Sequence, residues 1–272
     1  MIAYEKGKIW TVAHRGVSGA DIPCNTKVAF QIALSQGADI LELDVAKSLD
    51  GELFVFHPGM EKPHLGIDTY LKDMPAKEIK KLRYLNQDDV TTQYGVVPLD
   101  EMFAFLKDKA YINVDKYWMY MEEITHCIHR CGVEDQVIVK IENSLDQVDM
   151  LEKIAPDLAV MPVLREDENF TDYALEKNIR YIGAELLFET DDDEIVSDEY
   201  IEKMHKNRLV VYGNAIVYNY KANISAGHTD NLALSGNPDQ GWGWFADKKF
   251  DMIQTDWCLM LKKYLKSRFA SC

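Results

Sequence analysis

The sequence predicts an α/β fold, specifically a (β/α)8 barrel of the TIM type with a small cap insertion after the third strand. Short apolar segments alternate with helix-length amphipathic segments along the whole chain, and parallel strands need such crossover helices. A length of 272 residues suits one barrel domain. Because no glycine-rich phosphate loop follows the first strand, an open dinucleotide-binding sheet is not favoured.

The first half of the chain supplies four strand candidates and one segment that departs from the alternation. The strands are predicted at 8–13, 40–45, 53–57 and 111–115, and the helices at 25–36, 99–107 and 119–131. Residues 58–98 carry scattered glycine and proline around one helix, 76–84. This segment is too poor in core residues to be independent, so it is interpreted as a cap inside a single catalytic domain, 1–272.

The second half continues the alternation, with an irregular stretch at 216–240. Strands are predicted at 136–141, 158–164, 181–188, 208–215 and 251–256, and helices at 145–154, 171–177, 198–207, 242–248 and 257–268. Nine strand candidates are one too many for an eight-stranded barrel. Either 53–57 or 181–188 must therefore be irregular or unusually connected.

Composition narrows the classes of partner. The formal net charge of −15 argues against nucleic acid and against anionic membrane surfaces. No apolar run approaches the ~18–20 residues that cross a membrane, and the first residues lack the apolar core of a signal peptide. We expect a soluble, cytoplasmic protein that acts on a small molecule without stable membrane association.

Polar side chains end several of the predicted strands. In a barrel of this kind the active site lies at the carboxyl ends of the strands, so such residues converge on one rim. Glu42 and Asp44 share one face of their strand because side chains alternate with period 2. The other residues at predicted strand ends are His14, Arg15, His57, Asp115, Lys140, Arg165, Asn214 and Asp256.

This combination predicts phosphodiester cleavage on a hard cation. Glu42, Asp44 and Asp115 offer oxygen ligands to Mg²⁺ or Ca²⁺. Arg15 has the planar fork that binds phosphate, while His14 and His57 can divide the proton transfers.

The same residues, in the same order over nearly the whole chain, resemble the glycerophosphodiester phosphodiesterases. The resemblance rests on His14-Arg15-Gly16, Asn25-Thr26, Glu42-Leu43-Asp44-Val45, His57, Asn113-Val114-Asp115 and Thr255-Asp256. It implies a barrel with an inserted cap and a metal-dependent hydrolase that releases glycerol 3-phosphate and an alcohol. It also implies that Glu42, Asp44 and Asp115 hold the metal, that Arg15 grips the phosphate, and that His14 and His57 are the acid/base pair.

The chain departs from that family pattern at a few positions. Cys24 stands where glutamate is usual before Asn-Thr, and Pro58 stands where aspartate usually follows the second histidine. Tyr117 replaces the usual lysine; we expect it to face the same way as Asp115, at the substrate, and we expect Lys116 to point to the other face. Lys140, at the end of the next strand, is then predicted to supply the missing positive charge near the phosphate.

Two other functions remain open. A phospholipase of the sphingomyelinase D or phosphatidylinositol-cleaving type would use a similar pair of histidines but would produce a cyclic phosphate. A non-catalytic module that binds a phosphodiester is prompted by Cys24, Pro58 and Tyr117.

Overall fold

Eight parallel strands close into a barrel. The computed structural model describes residues 2–217 and 221–270. The first strand pairs with both the second and the last, which closes the circle and confirms the (β/α)8 prediction. The barrel strands, β1 to β8, are Trp10–Ala13, Ile40–Lys47, Tyr111–Asp115, Val137–Ile141, Ala159–Leu164, Gly183–Leu186, Val210–Asn214 and Met252–Thr255.

Helices fill the connections and cover the outside of the barrel. The first begins where the Thr26 side chain accepts a hydrogen bond from the Ala29 backbone amide, which satisfies one free N–H of its first turn. The helices, α1 to α11, are Lys27–Ser35, Glu61–Leu65, Ala76–Ile79, Leu99–Leu106, Met121–Cys131, Leu145–Ile154, Phe170–Leu175, Asp198–Lys206, Asp230–Leu234, Trp244–Asp247 and Cys258–Ala270. Short 3₁₀ or π turns lie at Leu71–Asp73, Tyr117–Met119, Glu194–Val196 and Asp239–Gly243.

Strand β2 shows how the alternation orients the site. Leu41, Leu43 and Val45 belong to the core between the strands and the helices. Ile40 belongs to the separate cluster inside the barrel. Glu42 and Asp44 are two and four residues after Ile40 and therefore share its face of the strand. Both carboxylates face the barrel interior, as the period-2 pattern predicts.

The predicted third strand is not a barrel strand. Leu53–Val55 runs antiparallel to the end of β2, with Val45 opposite Val55, and also pairs with Val97–Pro98. It is the excess ninth candidate, so the insertion lies between β2 and β3 of the barrel. The 181–188 candidate supplies β6, preceded by a short separate strand, Arg180–Tyr181, that pairs with β5.

The insertion at 58–98 has more structure than the single helix predicted at 76–84. That helix ends at Ile79, and Arg83–Leu85 forms a hairpin with Thr91–Gly95. Its buried residues form a cluster of their own with the Leu53–Val55 region, which holds the insertion against the barrel. The members of this cluster include Ala46, Phe54, Phe56, Leu71, Ile79 and Tyr84.

The stretch predicted as irregular at 216–240 contains the short helix α9. Residues 218–220 of that stretch, and Cys272, lie outside the described residues. Within the described ranges, none of the helices combines the length and the apolar composition that a bilayer crossing demands.

Candidate active site

Three carboxylates converge at the carboxyl ends of neighbouring strands. The register of β2 and β3 sets Asp44 beside Asp115, with Glu42 one step below. One carboxylate oxygen from each of the three residues lies within 4.8 Å of the other two. Burial, together with the charge of Asp44, raises the pKa of Glu42 to about 7. Negative charges this close need a neutralising cation.

The three acids fit a hard divalent cation. Asp44 Oδ1 is buried and accepts no hydrogen bond from the described residues. A buried carboxylate oxygen without a donor is costly, whereas a metal ion would satisfy it. All three donors are oxygens, which suits Mg²⁺ and Ca²⁺ better than zinc.

Arg15 contacts two of the three acids. Its backbone amide donates to Glu42 Oε2 at 2.9 Å, and its Nε lies 2.9 Å from Asp44 Oδ2. The backbone of Arg15 is left-handed, with φ 57°. The next residue is Gly16, where a Cβ would lie 2.7 Å from the backbone carbon of Ala29, so this turn packs directly against α1.

Asn25, which the sequence analysis placed at a helix start and in the family motif without giving it a role, lies in the site. Its Nδ2 donates to Asp44 Oδ2 at 2.9 Å, and it is fully buried in a left-handed conformation with φ 58°. The sequence offered one indication, the position of Asn25 directly before the helix N-cap. Asn and Thr are common there because they cap helices, so the position does not by itself indicate a site residue. Its side chain orients the Asp44 carboxylate.

His14 and Asp256 form a close pair. The Nδ1 atom of His14 lies 2.8 Å from Asp256 Oδ1. Burial lowers the pKa of His14, but the hydrogen bond to Asp256 and the charge of Glu42 outweigh it, so the pKa is raised above its ordinary value. The imidazole is therefore held in one orientation, with Nε2 available to a substrate.

Asp256 is itself positioned by a buried acid. Its backbone amide donates to Asp230 Oδ2 at 2.9 Å. The other oxygen of Asp230 accepts from Thr255 Oγ1 at 2.7 Å and from Trp242 Nε1 at 2.6 Å. Trp242 is itself buried in this network.

His57 lies near the Asp44 oxygen that Asn25 and Arg15 do not contact. Its Nε2 is 3.9 Å from Asp44 Oδ1, while its buried Nδ1 has no hydrogen-bond partner in the described part of the chain. Burial lowers the pKa of His57, although the charge of Asp44 acts against that shift. The structure therefore brings together three acids, two histidines and one arginine from the predicted strand ends: Glu42, Asp44, Asp115, His14, His57 and Arg15.

Comparison with known proteins finds similar relatives. An uncharacterized protein, YqiK, from Bacillus subtilis is 28% identical over 207 residues, covering 73% of this chain and 83% of the relative. A glycerophosphodiester phosphodiesterase from Caldanaerobacter subterraneus is 30% identical over 167 residues, covering 56% of this chain and 65% of the relative. The chain is thus similar over much of its length to glycerophosphodiester phosphodiesterases. A family model described as a domain of unknown function, DUF4996, matches residues 160–265.

Solved structures with the same fold carry the same family name. A glycerophosphoryl diester phosphodiesterase from Parabacteroides distasonis superposes with a TM-score of 0.81 at 18% identity, covering 98% of this chain and 89% of that one. A phosphodiesterase from Oleispira antarctica, solved with the product sn-glycerol-3-phosphate, has a TM-score of 0.68 at 15% identity, covering 94% and 96%. At these identities the likeness shows the shared barrel.

Lys116 occupies the rim of the candidate site and Tyr117 does not. The sequence prediction was the reverse. Lys116 is left-handed, with φ 62°, so the chain turns at the end of β3 and the alternation of the strand stops there. The Nζ of Lys116 lies 3.1 Å from Asp115 Oδ2. Tyr117 is fully buried in the core, where its hydroxyl is 2.7 Å from Thr125 Oγ1.

Lys140 also lies elsewhere than predicted. It is buried inside the barrel, ion-paired with Glu185, and its Nζ is 4.9 Å from the centre of the Tyr212 ring. Burial raises the pKa of Asp115, but the charges of Lys140 and Lys116 oppose this, and the net shift is downward. The positive charge of Lys140 therefore acts on the carboxylates from inside the barrel. Lys140 does not lie at the open end of the barrel, where the phosphate was predicted to bind.

Cys24, the departure from the family glutamate, contacts the cap. Its Sγ lies 3.9 Å from His64 Nδ1. Burial raises the pKa of the Cys24 thiol to about 12, and burial with the nearby charge of Arg15 lowers the pKa of His64 to about 4. Both groups are therefore neutral at neutral pH, where the usual glutamate would add a fourth negative charge.

Proposed function

We propose that this chain is a metal-dependent hydrolase that converts glycerophosphodiesters to glycerol 3-phosphate and an alcohol. The observation that carries the proposal is the convergence of three acids, Arg15 and two histidines on one rim of the barrel. Similarity to the glycerophosphodiester phosphodiesterase of Caldanaerobacter subterraneus and the product named in the Oleispira antarctica structure support it. Both of those relatives act on, or bind, the same glycerophosphate group.

Glu42, Asp44 and Asp115 would hold one divalent cation, Mg²⁺ or Ca²⁺. When bound, this ion supplies charge neutralisation and Lewis acidity at a phosphate oxygen. The orphaned Asp44 Oδ1 supports this assignment. Asn25 and Arg15 keep the Asp44 carboxylate in place from its other oxygen.

Positive side chains would bind the phosphodiester. The backbone amide of Arg15 contacts Glu42 and its Nε contacts Asp44, and its terminal nitrogens would bind a phosphate oxygen. Lys116, on the rim beside Asp115, would add a second positive charge. Cys24 and His64 are both neutral, so neither adds a charge to the site.

His14 and His57 would carry the protons. Water attacks phosphorus, the bond from phosphorus to the leaving oxygen breaks, one histidine accepts the proton of the water, and the other donates a proton to the departing alkoxide. Asp256 fixes the orientation of His14 through Nδ1. His57 lies nearest to Asp44 Oδ1, whereas Arg15 contacts Oδ2 of the same carboxylate.

The test is hydrolysis of glycerophosphocholine in ¹⁸O-labelled water with Mg²⁺ or Ca²⁺, followed by ³¹P NMR. We expect labelled glycerol 3-phosphate, loss of turnover with EDTA, and loss of turnover in His14→Ala and His57→Ala. The matched control is His129→Ala, an exposed histidine on α5 that pairs with Asp157. A cyclic phosphate product would instead indicate the phospholipase mechanism, and absence of turnover with either cation would contradict the proposal.

A further inference from the structure

A thiol and an imidazole face each other beside the candidate active site. Cys24 lies in the loop after β1, two residues before the N-cap of α1, and His64 lies on the cap helix α2. The Sγ atom of Cys24 is 3.9 Å from Nδ1 of His64. The charge of Arg15 acts on both groups, so the pair borders the residues that would bind the phosphodiester.

The distance between the two atoms is close to that between two ligands of one zinc ion. Zinc bonds are about 2.3 Å to sulfur and about 2.0–2.1 Å to an imidazole nitrogen, so two such donors at a tetrahedral angle lie roughly 3.6 Å apart. The observed separation exceeds this by about 0.3 Å, which a small movement of either side chain would remove.

The chemistry of the donors separates this pair from the three acids. Carboxylate oxygens suit Mg²⁺ and Ca²⁺, whereas sulfur and imidazole nitrogen select softer ions, zinc above all. An imidazole binds a metal in its neutral form, and His64 is neutral because burial and the charge of Arg15 lower its pKa to about 4. The thiol of Cys24 holds its proton until a metal displaces it.

A buried hydroxyl without a partner adjoins the pair. Tyr84, on the cap hairpin, is fully buried, and its Oη atom has no hydrogen-bond partner within the described ranges. The centre of its ring lies 6.3 Å from that of His64. Burial raises the pKa of Tyr84, and the charge of a Cys24 thiolate acts in the same direction, so the two groups are neighbours. A water molecule bound to a metal at Cys24 and His64 would give this hydroxyl a partner.

We propose that Cys24 and His64 form a second metal site that binds Zn²⁺ and thereby inhibits hydrolysis. Binding forms one bond from zinc to sulfur and one to nitrogen, the thiol proton leaves to solvent, and two water molecules complete the tetrahedron. A phosphate oxygen that replaced one of these waters would be held away from the cation of the three acids. The zinc site itself does not depend on the proposed function, but its inhibitory effect rests on it.

Co²⁺ reports the site directly, because it occupies zinc sites and absorbs in the near ultraviolet when a thiolate binds it. We expect one such band per chain when protein saturated with Mg²⁺ is titrated with Co²⁺, and we expect Zn²⁺ to remove it. Cys24→Ser should abolish the band. His64→Ala should weaken Co²⁺ binding by at least about tenfold, since even a residue that only orients a ligand contributes that much. Cys131→Ser, at a half-buried cysteine on α5, is the matched control and should retain the band.

Activity gives the second measurement. At ten times its Kd, Zn²⁺ should reduce hydrolysis of glycerophosphocholine by about tenfold, because mass action leaves roughly one molecule in eleven without zinc. Additional Mg²⁺ should not relieve this inhibition. Cys24→Ser should resist zinc, whereas Cys131→Ser should remain sensitive, and thermal unfolding without zinc or cobalt shows whether each variant is folded.

The outcomes separate the zinc site from the proposed function. Absence of the band in the wild-type protein, or its persistence in Cys24→Ser, would overturn the site. A band without inhibition of an active enzyme, or inhibition that Mg²⁺ relieves, would overturn the inhibitory role. Absence of turnover on every phosphodiester would overturn the proposed function and the inhibitory role together, and an intact band would still establish the zinc site.

Discussion

The Nδ1 atom of His14 lies 2.8 Å from Asp256 Oδ1, and this contact joins the first and last strands of the barrel at the candidate active site. The two residues are neighbours in space because β1 and β8 close the circle. Asp256 orients the imidazole and opposes the effect of burial on its pKa. Asp256 is thus a positioning residue. Its removal should change the pH dependence of activity, which the loss of a purely structural residue would not do.

Asp256→Asn should lower kcat by about 10²-fold, within the range that acid/base groups contribute. The pKa of His14 should fall, because burial lowers it and the carboxylate no longer opposes that effect. The kcat–pH profile should therefore move to lower pH on the limb that His14 controls. The control is Asp157→Asn, which removes the partner of His129 on α5. An unchanged profile would contradict the role given to Asp256.

Lys116→Met should reduce kcat/KM by about tenfold or more, because the rim loses a positive charge beside Asp115. Lys116→Arg should restore part of the activity. Lys153→Met, an exposed lysine on α6, serves as the control. Steady-state kinetics with glycerophosphocholine measure the effect, and equal activity of Lys116→Met and wild type would show that Lys116 does not act on the substrate.

Addition of Mg²⁺ or Ca²⁺ should raise the Tm of the wild-type protein, since a ligand that binds only the folded state stabilises it by about 2.7 kcal/mol at 100 times Kd. Asp44→Asn should abolish that increase because it removes one of the three ligands. Asp172→Asn, at a surface ion pair with Lys203, should retain it. Differential scanning fluorimetry across a metal titration gives the answer, and an equal increase in Asp44→Asn would exclude this site.

Asp230 should make the stability of the protein fall as pH rises from about 4 to 6. Burial raises the pKa of Asp230 to about 6 although Thr255 and Trp242 donate hydrogen bonds to it. The folded state therefore holds a proton that the unfolded state has already lost, and the protonated form loses its advantage as pH passes the folded pKa. A shift of this size corresponds to about 3 kcal/mol.

Urea unfolding of wild type and Asp230→Asn between pH 4 and 6.5 tests this dependence. Asparagine keeps the size but cannot ionise, so the free energy of unfolding of the variant should lack the decline that wild type shows. The variant should also be less stable at pH 4, because its amide group meets the Asp256 backbone N–H. Parallel curves for the two proteins would contradict the assignment.

Lys140→Met should cost about 3–5 kcal/mol of unfolding free energy, because it leaves the buried Glu185 carboxylate without its cation. Lys140→Met combined with Glu185→Leu should recover much of that loss. Chemical unfolding of the two single variants and the double variant forms a complete cycle. Additive effects would show that the two charges do not depend on each other.

The alternation of apolar and polar residues was enough to predict the barrel and the carboxylates of β2. It could not give the direction of Leu53–Val55, because a strand has the same period 2 whether it runs parallel or antiparallel. The direction of a strand depends on the segment that connects it to the strand before it. The turn after Lys47 is short, so it allows an antiparallel hairpin without a crossover helix. The cap was therefore placed after a strand that the barrel does not contain.

The errors at Lys116 and Tyr117 have a different cause. The prediction extended the regular alternation beyond Asp115, whereas the backbone turns left-handed at Lys116. Nothing in a lysine indicates such a conformation, which is uncommon for residues other than glycine. Asp230 was missed because its hydrogen-bond partners come from segments distant in the chain, and a buried acid in an irregular stretch resembles an exposed one in sequence.

Three residues of the site, Arg15, Asn25 and Lys116, hold left-handed backbones with φ between 57° and 62°. Each such conformation in a residue other than glycine stores of order 1–3 kcal/mol. Glycine at any of these positions would release the strain and remove the side chain that the site needs. A search for heat-resistant variants of this protein should therefore enrich inactive ones at these positions, and thermostability alone is a poor criterion for engineering it.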